Sequence, residues 1–286
     1  MPDVVDLYLD TYHLHSLSTT LPTRVVYPLD GLDSPEIRLS AYNNPGAHGQ
    51  TISNALYGGR VVAVQGSVRG NDTISYRANK QALATAVGLQ NDTSGFPIPR
   101  LLKVTLGDGN TYQLPVITTK FNNPEQYPTR SIFQLELTAT QWYLESDQLS
   151  SASVGLPQPG GASFPWSFSL SFSGGGGGTI TVTNSGTATA YPTITIAGPV
   201  IAPVISNSTT GQKIALNLTL VTGDTIVINT KERTITQGGT TNKIGALMTG
   251  SSFWGLAPGD NVITYSANQY DTSTSALVWR SAIGGI

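Results

Sequence analysis

The chain has 286 residues, of which 11% are charged and 39% hydrophobic, and it carries a formal net charge of -2. That length suits two domains of ordinary size, and so apolar a composition excludes a disordered chain. The near-neutral balance provides no basic field for neutralising phosphates, which excludes a general nucleic-acid reader, and the absence of cysteine excludes disulfides, thiolate metal sites and a cysteine nucleophile.

The N-terminal stretch MPDVVDLYLDTYHLHSL has no basic leader followed by a continuous apolar core, and no run approaches the ~20 apolar residues needed to span a bilayer. The expectation is a soluble protein made in a cytoplasm. Strand alternation would place His13 and His15 on one face, a geometry compatible with a metal, but no third ligand follows at a recognisable spacing. No metal site is therefore expected, and the two imidazoles are expected at a surface or interface.

Arg60 to Gly70, RVVAVQGSVRG, alternates with Val62, Val64 and Val68 on one face and is expected to be a half-buried strand. Its GSVRG segment is one place out of register for a Gly-x-Ser-x-Gly nucleophile elbow, so no catalytic serine is expected. From Asp72 to Gly88 good helix formers cluster. Asp72 or Ser75 suits the N-cap, Tyr76, Leu83 and Val87 form the packing stripe, and Gly88 suits a left-handed C-cap. Leu101 to Thr119 contains two strand-like runs joined through Gly107-Asp108-Gly109-Asn110, a hairpin turn. Ser131 to Thr140 puts Phe133, Leu135, Leu137 and Ala139 on one face of a further strand.

Past Trp142 the alternation lapses. Glu145 to Gly161, ESDQLSSASVGLPQPGG, has the composition of a connector, which predicts domains at about 1–145 and 161–286 with a linker over 146–160. Short alternating runs then recur at Thr179 to Thr183, Thr193 to Ala197, Gln212 to Leu220, Asp224 to Asn229, Val262 to Tyr265 and Ala276 to Arg280. With no helix between them, they predict an antiparallel β-sandwich. Gly-Asp opens a strand-like run at Gly107-Asp108, Gly223-Asp224 and Gly259-Asp260. Turn chemistry accounts for all three, because no loop gathers the six to eight oxygens that calcium takes.

The five glycines Gly174 to Gly178 run into the β-branched segment at Thr179, without the lysine and helix of a phosphate-binding loop. They are expected to be an exposed, mobile loop within the second domain. Trp166, Phe253, Trp254, Tyr265 and Trp279 could serve as sandwich core or as a sugar-stacking platform. Core packing is the expectation, and Phe253 with Trp254 is the carbohydrate-binding alternative. A carboxylate pair for glycan cleavage cannot be identified by spacing, since the separation that matters is three-dimensional.

Several segments, in their order, carry a family resemblance: SFPWSFSLSF (Ser163 to Phe172), NSGTATAYPTITIAGPV (Asn184 to Val200), ALNLTLVTGDTIVINTKERTITQGG (Ala215 to Gly239), SSFWGLAPGDNVITYSA (Ser251 to Ala267) and ALVWRSAIGGI (Ala276 to Ile286). Together with DLYLDTYHLHSLST, VVAVQGSVRG and SIFQLELTATQWYL in the first half, this order resembles the distal tail proteins of long-tailed, non-contractile bacteriophages. The resemblance implies a mainly β protein. Its N-terminal tube-type domain, a β-sandwich or split barrel with one helix, would close into a homo-hexameric ring, and a galectin-like antiparallel β-sandwich would follow. It implies a non-enzymatic role at the tail tip, joining the tail tube protein to the tail hub and carrying receptor-binding or side-fibre components, with DNA passing the lumen and no cofactor. A bacterial-surface carbohydrate-binding module is the alternative.

Overall fold

A computed structural model describes residues 4–17, 20–124, 127–157, 160–162, 170–172, 178–268 and 272–286. Two compact units emerge: Met1–Asp147 with Ile283–Ile286, and Gln148–Ala282. The second is thus inserted ahead of the last four residues of the first.

The first unit contains β1 (Val4–Leu9), β2 (Tyr12–Ser16), β3 (Thr23–Asp30), β4 (Ile37–Asn43), β5 (Gln50–Tyr57), β6 (Arg60–Arg69), α1 (Thr73–Val87), β7 (Arg100–Leu106), β8 (Thr111–Asn122), β9 (Arg130–Ala139) and β10 (Leu144–Ser146). Its main sheet runs β2-β1-β7-β8-β9-β6-β3. The two ends of that path approach each other, and the Thr23 hydroxyl on β3 donates to the His13 carbonyl on β2 at 3.2 Å. The result is a nearly closed barrel, which leaves few unpaired sheet edges.

The expected alternations build its interior. Val62, Val64 and Val68 of β6 and Phe133, Leu135, Leu137 and Ala139 of β9 are all buried in one cluster, which also takes Tyr76, Leu83 and Val87 from α1. Gly66, opposite Phe133 in the β6–β9 register, has a physical reason: a Cβ there would lie 2.5 Å from the Phe133 ring. The β7–β8 turn forms at Gly107–Asn110, with Gly109 at φ +84 and the Asp108 carboxylate accepting from the Asn110 amide.

Helix α1 starts as expected. Asp72 accepts from the Ser75 amide at 2.7 Å and Ser75 reaches back to the Asp72 amide, a capping box. Its other end does not match the expectation. Gly88 is extended rather than left-handed, and the last turn is closed by the Arg100 guanidinium, which donates to the carbonyls of Gly88 and Thr85 and pairs with Asp10 at 2.9 Å. A cation at a helix C-terminus satisfies orphan carbonyls and opposes the macrodipole, so no glycine cap is required.

The second unit contains β11 (Ser150–Gly155), β12 (Gly160–Ala162), β13 (Leu170–Phe172), β14 (Thr179–Asn184), β15 (Thr193–Ala197), β16 (Val200–Ile201), β17 (Val204–Asn207), β18 (Gln212–Ala215), β19 (Thr219–Leu220), β20 (Thr225–Asn229), β21 (Thr234–Gln237), β22 (Thr241–Asn242), β23 (Gly259–Ser266) and β24 (Thr274–Trp279). A last strand, β25 (Ala282–Ile283), follows. Two antiparallel sheets, β11-β24-β15-β20-β21-β22 and β14-β23-β17-β18, make the sandwich. Ile194, Ile196, Ile226, Ile228 and Leu277 of the first and Val182, Ile205, Ile263 and Tyr265 of the second are buried. Ser150–Gly155, expected within the linker, is a strand paired along its length with β24. Only Val154 of that serine-rich run is buried, so it shows almost no period-two signal.

Of the glycine run, Gly174 to Gly177 lie outside the described residues. Gly178 is not the exposed loop position expected. It is buried at φ +83, its amide donates to the Gly155 carbonyl at 2.8 Å, and its carbonyl accepts from the Tyr265 amide. A Cβ there would stand 2.5 Å from Pro157, so glycine is needed by both space and backbone.

Candidate functional site

The imidazoles test the one metal-compatible pattern in the sequence. A register shift between Leu7 and Tyr8 sets Tyr8 opposite His13 and Leu7 opposite His15. Neighbouring residues on β1 face opposite sides, so this bulge sends the two histidines to opposite faces. His13 stacks on Tyr8, ring centroids 4.0 Å apart, and its Nε2 lies 2.9 Å from Asp6. His15, 2% exposed, lies on the core side, where burial and then the nearby Arg24 charge push its pKa down against the pull of Asp6. The expected shared face is absent because strand alternation fails at a bulge, and among the described residues no group of three or more histidine, aspartate or glutamate side chains could hold a metal.

The aromatic candidates divide clearly. Trp254 is 1% exposed and Tyr265 is fully enclosed, with the Tyr265 hydroxyl paired to Ser273 at 2.6 Å. Trp279 is buried too, and its indole donates to the Thr183 carbonyl at 3.3 Å. Phe253 is half-buried, and Trp166 lies outside the described residues. Trp254 therefore presents no open stacking face, and Phe253 beside it is half-buried. A sugar stacks on the flat of a ring, and the Trp254 ring is enclosed.

The carboxylates are engaged in local architecture. Asp72 and Asp108 shape a cap and a turn, Asp224 accepts from the Val221 amide, and Asp260 accepts from the Thr183 hydroxyl. Asp10, Asp147 and Glu136 pair with Arg100, Lys103 and Lys120. Gly223-Asp224 is a turn step with the glycine at φ +92, whereas Gly259-Asp260 opens strand β23 with the glycine at φ +85. An open cleft of about 670 Å³ beside the start of α1 is lined by Thr23, Arg24, Arg69, Asn71, Ser75 and Asn79 among others. It brings cations and hydroxyls together without a base or nucleophile arrangement.

What sequence reasoning missed is a surface. β4 and β5 form a separate two-stranded ribbon with every residue exposed on both faces. Its root is held by Tyr57 stacked on Trp142 at 4.4 Å. In IRLSAYN the apolar residues Ile37, Leu39 and Ala41 alternate, but QTISNALY shows no such alternation and the Asn-Pro-Gly-rich stretch between them reads as loop.

The first unit is a nearly closed barrel with one helix and an exposed ribbon, and the second is an antiparallel sandwich. Residues 185–281 match the family described as siphovirus-type tail component, C-terminal domain. Among solved structures the chain is similar to the Dit protein of phage SPP1, a hub adsorption apparatus paradigm in phages infecting Gram-positive bacteria. Identity is 14% and TM-score 0.66, over 97% of this chain and 98% of that one. It is also similar to a chain of the phage P2 baseplate in its activated conformation with Ca, at 10% identity and TM-score 0.50, over 96% and 97%. No curated protein matches the sequence. Residues 185–281 thus match a siphovirus-type tail component domain, and the chain as a whole has the fold of the SPP1 Dit protein.

Proposed function

We propose that this chain is the non-enzymatic subunit of a hexameric ring at the tail tip, joining the tail tube protein to the tail hub. In this role the barrel unit forms the ring, DNA passes its lumen without specific binding, and the galectin-like sandwich unit carries receptor-binding or side-fibre components. The observation that carries the proposal is the end-to-end match of both units to a tail hub protein. The low charge adds support, since a basic lumen wall would retain phosphates and slow transit. A fold by itself does not bring sugar binding, and the enclosed Trp254 offers none.

Negative-stain imaging with mass measurement in solution tests this. Six-fold rings of the purified chain, or rings formed on adding tail tube protein, are the expected result. A chain that stays monomeric in both conditions overturns it.

A further inference from the structure

The β4–β5 ribbon has little of its own to hold it in place. A two-stranded ribbon alone in water is marginally stable. Every residue of both strands is exposed, and none belongs to the barrel core. Its orientation is therefore set at its two roots, where the chain enters β4 and where it leaves β5.

Both roots meet the returning tail, Ile283–Ile286. On the entering side, the Leu32 carbonyl accepts from the Ile286 amide at 3.1 Å. Gly285 lies so close to the same segment that a Cβ there would come within 2.8 to 3.0 Å of Asp33 and Ser34 backbone atoms. On the leaving side, Tyr57 stacks on Trp142 with 18° between the ring planes. Trp142 in turn lies against Gly284, where a Cβ would stand 3.4 Å from the indole Cζ3. Arg60, at the start of β6 just past the ribbon, joins the two sides. Its guanidinium donates to the carbonyls of Gly31 and Asp33 before β4, of Trp142 beneath Tyr57, and of Gly284 in the tail.

The tail matters less to the barrel than to the ribbon. The barrel cluster is built from buried side chains of the sheet and α1, and Ile283 and Ile286 are only partly buried against it. Withdrawing the tail would remove a small share of that burial, but it would strip contacts from both ribbon roots at once.

We propose that the tail is a latch for the ribbon: seated, it fixes both roots and holds the ribbon in one orientation; unseated, it frees the ribbon while the barrel strands stay formed. A held ribbon loses less conformational freedom in any contact made through it, so the latch governs how readily that surface can be used. All of these contacts lie within the first unit, and the latch does not rest on the ring reading.

Hydrogen exchange resolved by peptide, on the full chain, tests the latch with two independent ways of unseating the tail. Gly285→Ala puts a methyl where the Asp33–Ser34 backbone leaves no room, and Ile286→Asp sets a carboxylate against the margin of the apolar cluster. The expected result is exchange at least fivefold faster across β4 and β5 in both variants, with β7 and β8 at the parent rate. Three results overturn the latch: ribbon exchange unchanged in both variants, a ribbon already unprotected in the parent chain, or equal loss of protection in β7 and β8.

Discussion

At the scale of single residues, His15 shows how one bulge changes chemistry. Seated on the core side of β2, its imidazole is held with a lowered pKa, chiefly by burial and secondly by Arg24. Above the unfolded value near 6.5 both states are neutral and pH has no effect through this group. As pH falls below 6.5 the unfolded chain takes up the proton first. Stability should then drop until the depressed native pKa is passed, with a slope of up to about 1.4 kcal/mol per pH unit. Urea midpoints compared at pH 7.5 and 5.5 should show the loss, and His15→Gln should reduce it. An unchanged slope in that variant would mean that other groups carry it. The sequence showed two histidines at strand spacing; it did not show that Leu14 sits in the bulge that separates them.

At the scale of elements, α1 is held to the barrel through one stripe. Leu83 is fully enclosed in the barrel cluster, so Leu83→Ala should cost about 2–5 kcal/mol, transfer and cavity together, measured by denaturation of the full chain. A cost below about 1 kcal/mol would show that the helix is peripheral to the barrel. Such elements were legible in the sequence because one face is buried: Val62, Val64 and Val68, or Phe133, Leu135 and Leu137, alternate since the core demands it. The turns at Gly107–Asn110 and Gly223-Asp224 were legible in their local turn chemistry. Elements without a core-facing side were not. β4 and β5 bury neither face, β11 is mostly serine and alanine, and the Arg100 clamp on the end of α1 joins residues that no local pattern connects. Trp254 was placed correctly in the core, because large aromatics dominate sandwich interiors. The exposed β4–β5 ribbon is a property of the folded barrel, which forms its core without it.

At the scale of the whole molecule, the first unit is discontinuous, and Arg60 holds its pieces together. Its guanidinium, 1% exposed, donates to the carbonyls of Gly31, Trp142 and Gly284 at 2.8, 2.8 and 2.6 Å, and also to that of Asp33. The tail is seated further by the Ile286 amide, which donates to the Leu32 carbonyl. Arg60→Met would orphan several buried carbonyls at about 1 kcal/mol or more each, a loss of roughly 3–5 kcal/mol in the first unit. Hydrogen exchange resolved by peptide should show β6 and β9 losing protection while β15 and β20 keep theirs. Equal loss in both units would mean that they unfold as one. The expected boundary near residue 145 did not foresee this return of the tail, since four residues, Ile-Gly-Gly-Ile, carry no periodic signal.

That returning tail has a consequence in time. A ribosome delivers the chain from the amino end at about 5–20 residues per second, so all of Gln148–Ala282 must emerge before Ile283–Ile286 can take their seat. The barrel is begun first and finished last, roughly ten seconds or more after its other strands are available. The inserted sandwich suits that order, because Ser150 pairs with Trp279 and its two ends leave side by side. Ile283–Ile286 therefore take their seat beside Leu32 and Arg60 only after the residues of the sandwich have emerged.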